Sequence, residues 1–211
     1  MKSYLLGISG CSGSGKSAIV KQLLKQMGNN LISVISQDNY YKKKDDQIID
    51  TNGFHNFDLP ESINHENFFS DILKLSSGEN IKYDEYTYNN TTKKSSKKFI
   101  FSNPIIIVEG LFIYHYNKIN DLFHSRIFID AQMKFMLERR ISRDLIERGY
   151  DRNDAEYRYE NHVIPGFKKF TEPYKKKSDL IINNDSNIKN AVQQLNDFLI
   201  KDYNKYKRLL S

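Results

Sequence analysis

Five short apolar runs punctuate the chain, at residues 4–9, 31–36, 104–109, 126–130 and 179–183. They are rich in Ile, Val, Leu and Phe and lack strict alternation, as strands covered on both faces do. Longer stretches with helical spacing of apolar positions lie between and after them, at 16–27, 62–75, 133–148, 154–170 and 188–203. Gly28 follows the first and suits the turn that closes a helix. Strands alternating with helices predict an α/β fold: a doubly wound, five-stranded parallel sheet with helices on both faces. The region 80–102 breaks the rhythm. "IKYDEYTYNNTTKKSSKKFIF" is two β-prone runs around a polar middle, and it predicts a hairpin inserted between a helix and a strand. The tail "NKYKRLLS" after Tyr203 is expected to fray.

The chain has 211 residues, 39% hydrophobic and 27% charged, which suits one soluble α/β domain spanning 1–211. No apolar run approaches the roughly 18–20 residues of a membrane span. Met1-Lys2-Ser3 leads directly into the first strand, leaving no room for a signal peptide. Cys11 is the only cysteine, so an internal disulfide is excluded and a reducing cytoplasm is the expected setting. The net charge of +6 admits nucleic acid, a membrane surface or a small polyanion as partner. The basic clusters Lys42–Lys44, Lys93-Lys94, Lys97-Lys98 and Lys175–Lys177 fall in segments that read as loops. No nucleic-acid motif accompanies them, so nucleic acid is not the expected partner.

One motif changes the picture. Gly10-Cys11-Ser12-Gly13-Ser14-Gly15-Lys16-Ser17 fits G-x-x-x-x-G-K-[ST] in full, between a buried strand and a helix. Its glycines let successive backbone N–H groups turn inward around phosphate oxygens, and the helix N-terminus adds its positive end. Lys16 would reach the outer phosphates, and the Ser17 hydroxyl would ligate Mg2+. Nothing near Cys11 in sequence would activate its thiol, and it reads as a small residue tolerated in the loop.

Two stretches imitate a regulatory GTPase. Asp50-Thr51-Asn52-Gly53 has the form D-x-x-G, and Asn117-Lys118-Ile119-Asn120 approaches N-K-x-D. The first does not end a buried strand. The second has an amide, with one acceptor oxygen, where a carboxylate would pair with two N–H donors. The strand ends carry other acids: Asp38 follows the second strand and Glu109 ends the third. Ligands bind at the carboxyl edge of an open parallel sheet. One of these acids can hold Mg2+ while the other accepts a proton from an attacking hydroxyl. Arg139, Arg140, Arg143 and Arg148 cluster on a helix and its C-terminal end. They could form a lid, within 133–160, over a transferring phosphoryl group.

The P-loop, "SQDNYY", "NFDLP", "IIIVEG", "RRISRDLIERG" and "EPYKKKSDLII" together resemble the uridine kinase family, within the wider phosphoribulokinase/uridine kinase group of P-loop kinases. The resemblance implies a P-loop NTPase-type sheet and transfer of phosphate from ATP (or GTP), with Mg2+, to the 5′-hydroxyl of uridine or cytidine. It implies a small-molecule nucleoside partner and a homo-oligomer. By the same resemblance, Asp38 is the general base and Ser17 and Glu109 hold Mg2+. Asp58 binds ribose hydroxyls, Arg140 contacts the sugar side, Arg143 and Arg148 serve the lid, and Tyr83 covers the base. Asp58 has a competing reading as the cap of a D-x-x-E box with Glu61. The chain departs from the family where substrate is chosen. A histidine and an arginine after Tyr83-Asp84 are absent, Tyr150 replaces an arginine, and Arg158 replaces a glutamine near the sugar. Two classes therefore stay open. One is a kinase for a small hydroxyl compound, uridine or cytidine first and another ribosyl compound such as nicotinamide riboside second. The other is a non-catalytic nucleotide-binding or RNA-associated regulator.

Overall fold

The protein was analysed as a computed structural model, which describes residues 3–28, 31–87, 96–148, 150–185 and 187–210, excluding the side chains of Glu147, Arg148 and Leu210. The five apolar runs become five strands of one parallel sheet: β1 (Tyr4–Ser9), β2 (Ile32–Ser36), β7 (Ile105–Glu109), β8 (Ser125–Asp130) and β9 (Leu180–Asn183). Their spatial order is β2-β7-β1-β8-β9. Burial explains the missing alternation. Tyr4, Leu6 and Ile8 of β1 pack into one core, with Leu23 of helix α1 (Lys16–Met27) and Leu195 of helix α7 (Ile188–Leu210). Leu5 faces the opposite core, with Phe68 and Ile72 of helix α2 (His65–Ser77). Both faces are covered, so both sets of positions are apolar.

Gly28 closes α1 as expected, at φ 80°, its N–H donating to the Leu24 carbonyl. The tail does not fray. Helix α7 continues to Leu210, because Tyr203 and Tyr206 find apolar partners far away in sequence. The Tyr206 ring lies 5.4 Å from that of Tyr4 and 4.6 Å from His124. Asp202 accepts hydrogen bonds from both Tyr4 Oη and Ser125 Oγ.

The inserted hairpin is present. Strands β5 (Ile81–Asp84) and β6 (Lys97–Ile100) pair antiparallel, so Lys97 and Lys98 belong to a strand and not a loop. A smaller antiparallel pair, β3 (Ile48–Ile49) with β4 (His55–Asn56), encloses Asp50–Gly53 as a tight turn. Asp50 Oδ1 there accepts from the N–H groups of Asn52 and Phe54. That turn and the short helix α3 (Asn117–Asn120) account for the two GTPase look-alikes.

Neither of the two helical stretches predicted for the lid region is α-helical throughout. Helix α4 (Met133–Arg143) passes into a π-helical turn at Asp144–Arg148. Helices α5 (Arg152–Arg158) and α6 (Ile164–Phe170) flank a second π-helical turn at Tyr159–Val163. A third apolar cluster seats these segments under the P-loop, with Met136, Tyr159, Val163 and Phe167 against Cys11 and Phe128.

Gly166 in α6 sets how closely this assembly can close. A Cβ there would stand 2.2 Å from the carbonyl oxygen of Asp58, a backbone atom that cannot rotate aside. Gly166→Ala is expected to cost about 1–3 kcal/mol, the usual penalty of overpacking, measured by urea denaturation. An unchanged midpoint would mean that α6 can retreat from Asp58 without loss.

Candidate active site

The sheet register assembles the phosphate side of the site. Glu109 lies between Ser36 on β2 and Ile8 on β1 as their direct parallel partner. The P-loop leaves β1 immediately beyond. Gly13 adopts φ 82°, and a Cβ on it would approach the Met136 carbonyl oxygen at 2.2 Å, so only glycine lets the loop lie against α4. Asn184 Nδ2 donates to the Ser14 carbonyl at 2.8 Å and braces the loop from the end of β9.

Lys16 is buried, and its Nζ donates to the carbonyls of Gly10 and Cys11 at 2.9 and 3.0 Å. Burial draws this ammonium below its ordinary pKa, against the upward pull of Glu109 and Asp38. Burial raises Glu109, with Asp38 adding to the effect, while Lys16, Ser36 and Ser17 oppose it. Ser17 Oγ donates toward Glu109 at 3.2 Å, and Ser36 Oγ donates to Glu109 Oε1 at 2.6 Å. Ser36 Oγ also accepts from the Asp38 N–H at 3.4 Å. The Cys11 thiol is buried and pushed up to about 12 by desolvation, which removes it as a nucleophile.

The lid arginines close onto the same loop. Arg140 Nη1 and Arg143 Nη2 both donate to Ser12 Oγ, at 2.8 and 3.0 Å. Arg140 is buried between two acids, with Nε on Asp144 at 2.6 Å and Nη1 3.6 Å from Asp58. Burial pulls its pKa down, but Asp58 and Asp144 outweigh that and hold it above its ordinary value. Arg139 spans the loop and the end of β9, donating to the Gly13 carbonyl at 3.5 Å and the Asp185 carbonyl at 2.9 Å.

A cavity of about 480 Å3 connects these groups. Lys16, Ser17, Asp38 and Glu109 line it together with Asp58, Arg140 and Arg143. Aromatic rings complete the wall: Tyr41, Phe57, Tyr86 and Tyr150. Tyr41 packs edge-on to Phe57 at 5.9 Å and tilted to Tyr86 at 5.6 Å.

Most of the residues anticipated from sequence meet here, but the capping role of Asp58 and the placements of Tyr83 and Arg158 do not hold. Asp58 does not cap α2. That helix starts at His65 and is capped by Asn64, whose side chain accepts from the Asn67 N–H. Tyr83 packs onto the core beneath the hairpin, and Tyr86, three residues on, reaches the cavity instead. Arg158 is absent from the cavity wall. Its guanidinium lies against the rings of Phe54 and Tyr150, at 5.0 and 4.6 Å. The Arg148 side chain lies outside the described residues, as does the hairpin tip at 88–95.

Ser36, Asp144, Tyr41 and Phe57 escaped the sequence reading. Ser36 was accessible in principle, standing two residues before Asp38 at a strand end. Asp144 lies one helical turn after Arg140, a spacing that signals an ion pair but not its burial.

A P-loop at the carboxyl edge of a five-stranded parallel sheet, with two acids beside it and an arginine lid, defines a P-loop phosphotransferase. Residues 5–191 match the Phosphoribulokinase / Uridine kinase family. The uridine kinase of Haemophilus ducreyi is 35% identical over 182 residues, covering 84% of each chain. That of Macrococcus caseolyticus is 33% identical over 183 residues, covering 86% of this chain and 88% of its own. Two solved structures share the fold at low identity. One is a possible uridine kinase from Bacillus stearothermophilus, with TM-score 0.60, 15% identity and coverage of 86% and 89%. The other is D-glycerate 3-kinase from Cryptococcus neoformans, with TM-score 0.59, 10% identity and coverage of 86% of each chain. The chain belongs to the phosphoribulokinase/uridine kinase family, and its activity is phosphoryl transfer to a hydroxyl group.

Asp144→Ala removes one of the two acids that hold buried Arg140. Breaking a buried ion pair from one side typically costs about 3–5 kcal/mol. That loss is the expected result in chemical denaturation at neutral pH. A loss below about 1 kcal/mol would separate this pair from the stability of the fold.

Proposed function

We propose that the protein phosphorylates a nucleoside at its 5′-hydroxyl from ATP, with uridine or cytidine as the acceptor. The observation that carries this reading is one cavity lined by two chemically different sets of groups. Lys16, Ser17 and Glu109 belong to the P-loop and the strand end beside it, and Asp38, Asp58 and Arg140 line the same cavity.

In this mechanism the P-loop N–H groups and Lys16 hold the donor phosphates. Asp38 takes the proton from the acceptor hydroxyl as its oxygen bonds to the γ-phosphorus. The bond from that phosphorus to the bridging oxygen breaks, and the nucleoside diphosphate departs. Arg143, now on Ser12, and Arg148 would neutralise charge on the transferring group. Asp58 would accept hydrogen bonds from sugar hydroxyls, with Arg140 fixing its orientation. The oxygen donors Ser17 and Glu109 suit Mg2+, which commonly takes one or two protein ligands beside substrate phosphates and water. The burial-raised pKa of Glu109 is consistent with a carboxylate that gains from a cation nearby. Once bound, Mg2+ would supply charge neutralisation at the phosphate oxygens.

A specific observation favours a second acceptor class. Tyr150 enters the cavity wall where the family pattern has an arginine, so another ribosyl compound, such as nicotinamide riboside, is the alternative.

Two variants test the assignment. Lys16→Ala is expected to lose most phosphoryl transfer while retaining the wild-type circular dichroism spectrum; turnover near wild type would remove Lys16 from the donor site. Asp38→Asn should lower kcat by about 10²–10⁴-fold, the range of general-base catalysis, with little change in ATP affinity. A fall of less than about threefold would rule out Asp38 as the base.

A further inference from the structure

The loop that follows β3 and the helices of the lid are joined by a stack of side chains. Arg158, on α5, lies between the Phe54 and Tyr150 rings, with its carbon Cζ 5.0 and 4.6 Å from their centroids. Its Nη1 donates to the His55 carbonyl at 2.9 Å. Its Nε is buried without a hydrogen-bond partner among the described residues, so the two rings and that carbonyl are what fix the guanidinium plane. Phe54 packs in turn on Tyr157 at 4.5 Å. The Tyr157 hydroxyl donates to Asp50 Oδ2 at 2.8 Å, and His162 Nε2 meets the same oxygen at 2.7 Å. Two segments are thereby fastened at five points.

Two features give the stack a consequence for the reaction. The loop carrying Phe54 and His55 continues directly to Phe57 and Asp58, which line the cavity. Tyr150 lines the same cavity, and its backbone N–H donates to the Asp144 carbonyl at 3.3 Å, behind the Arg140–Asp144 pair. Tyr150 is thus held by its backbone to the lid and by its ring to Arg158, while it lines the cavity.

We infer that Tyr150 is a specificity-determining wall of the acceptor site and that Arg158 is the positioning residue that holds it there. Arg158 acts through Tyr150 and not on the substrate. A guanidinium is planar and stacks between rings, which an ammonium cannot imitate. A wall made by a ring face favours an acceptor with a flat or apolar surface beside its sugar, and it reads shape more than hydrogen-bond pattern. This inference rests on the nucleoside reading above.

The test is a double-mutant cycle of Tyr150→Ala, Arg158→Lys and the pair, with steady-state kinetics for uridine and for ATP. Each single change should raise KM for uridine by about three- to thirty-fold, the scale of cation–ring contacts. KM for ATP should hold and kcat should change much less. The double variant should be no worse than the poorer single one, because the second change removes a contact already lost. Multiplying effects, an unaltered KM in Arg158→Lys, or an equal shift in KM for ATP would each overturn the inference. Tyr150→Leu keeps apolar bulk without the ring face. It replaces alanine in the cycle if alanine compromises folding, and is expected to behave the same way. Urea-denaturation midpoints of the same four proteins read the Arg158–Tyr150 contact with no substrate present. Strictly additive midpoints would mean that the contact does not exist. If the wild-type protein phosphorylates a different hydroxyl compound, the nucleoside reading falls and the kinetic cycle on that compound still decides the coupling.

Discussion

An ammonium group removed from water organises the phosphate half of this molecule. Taking such a charge inside costs several kcal/mol even after relaxation. Lys16 meets that cost with the Gly10 and Cys11 carbonyls and with the field of Glu109 and Asp38. Glu109 carries the same burden with opposite sign and is held by the hydroxyls of Ser17 and Ser36. The Ser36 contact follows from the pairing of β2 and β7 in the register that sets Ser36 beside Glu109. A slip of one residue would turn that carboxylate to the other face of the sheet. Both charges would gain from a phosphorylated ligand and a cation, so what costs stability in the free protein favours binding.

Arg140 repeats the arrangement in the lid. It binds Asp144 within its own segment, Asp58 in the loop after β4 and Ser12 in the P-loop. One buried guanidinium thereby reports on three parts of the site. Arg143 shares Ser12 with it, so both arginines rest at the mouth of the phosphate loop. Movement of a donor phosphate into that position would exchange a neutral acceptor, the serine hydroxyl, for a charged one. Hydrogen bonds of that kind are roughly twice as strong.

Legibility in the sequence followed the range of the forces involved. The strands were plain, because burial on both faces leaves little room for polar residues in Ile105–Val108 or Leu5-Leu6. The P-loop was plain, because backbone cradling of phosphate requires glycine at fixed positions. Asp38 and Glu109 followed from the strand ends. Errors arose where a local pattern competed with a distant partner. The D-x-x-E at Asp58 looked like a helix cap, but a buried guanidinium more than eighty positions away claims the carboxylate. Tyr206 looked like part of a fraying tail until Tyr4 and His124 came to meet it. The lid's π-helical turns have no local signature, since apolar spacing hardly distinguishes them from the α-helix around them.

The two halves of the cavity differ in how they are built, and that difference explains why the departures from the family pattern fall where they do. The phosphate half hangs on strand ends whose positions the sheet register fixes, so a changed residue there would disturb both chemistry and core. The acceptor half is made by loops and helix ends packed on one another: Phe54 on Tyr157, Arg158 on Tyr150, Tyr41 on Phe57 and Tyr86. Such contacts can exchange partners without moving a strand. Arg158 and Tyr150 show the consequence: the cation sits behind the ring and outside the cavity lining, so the surface this part of the wall presents is aromatic and not charged.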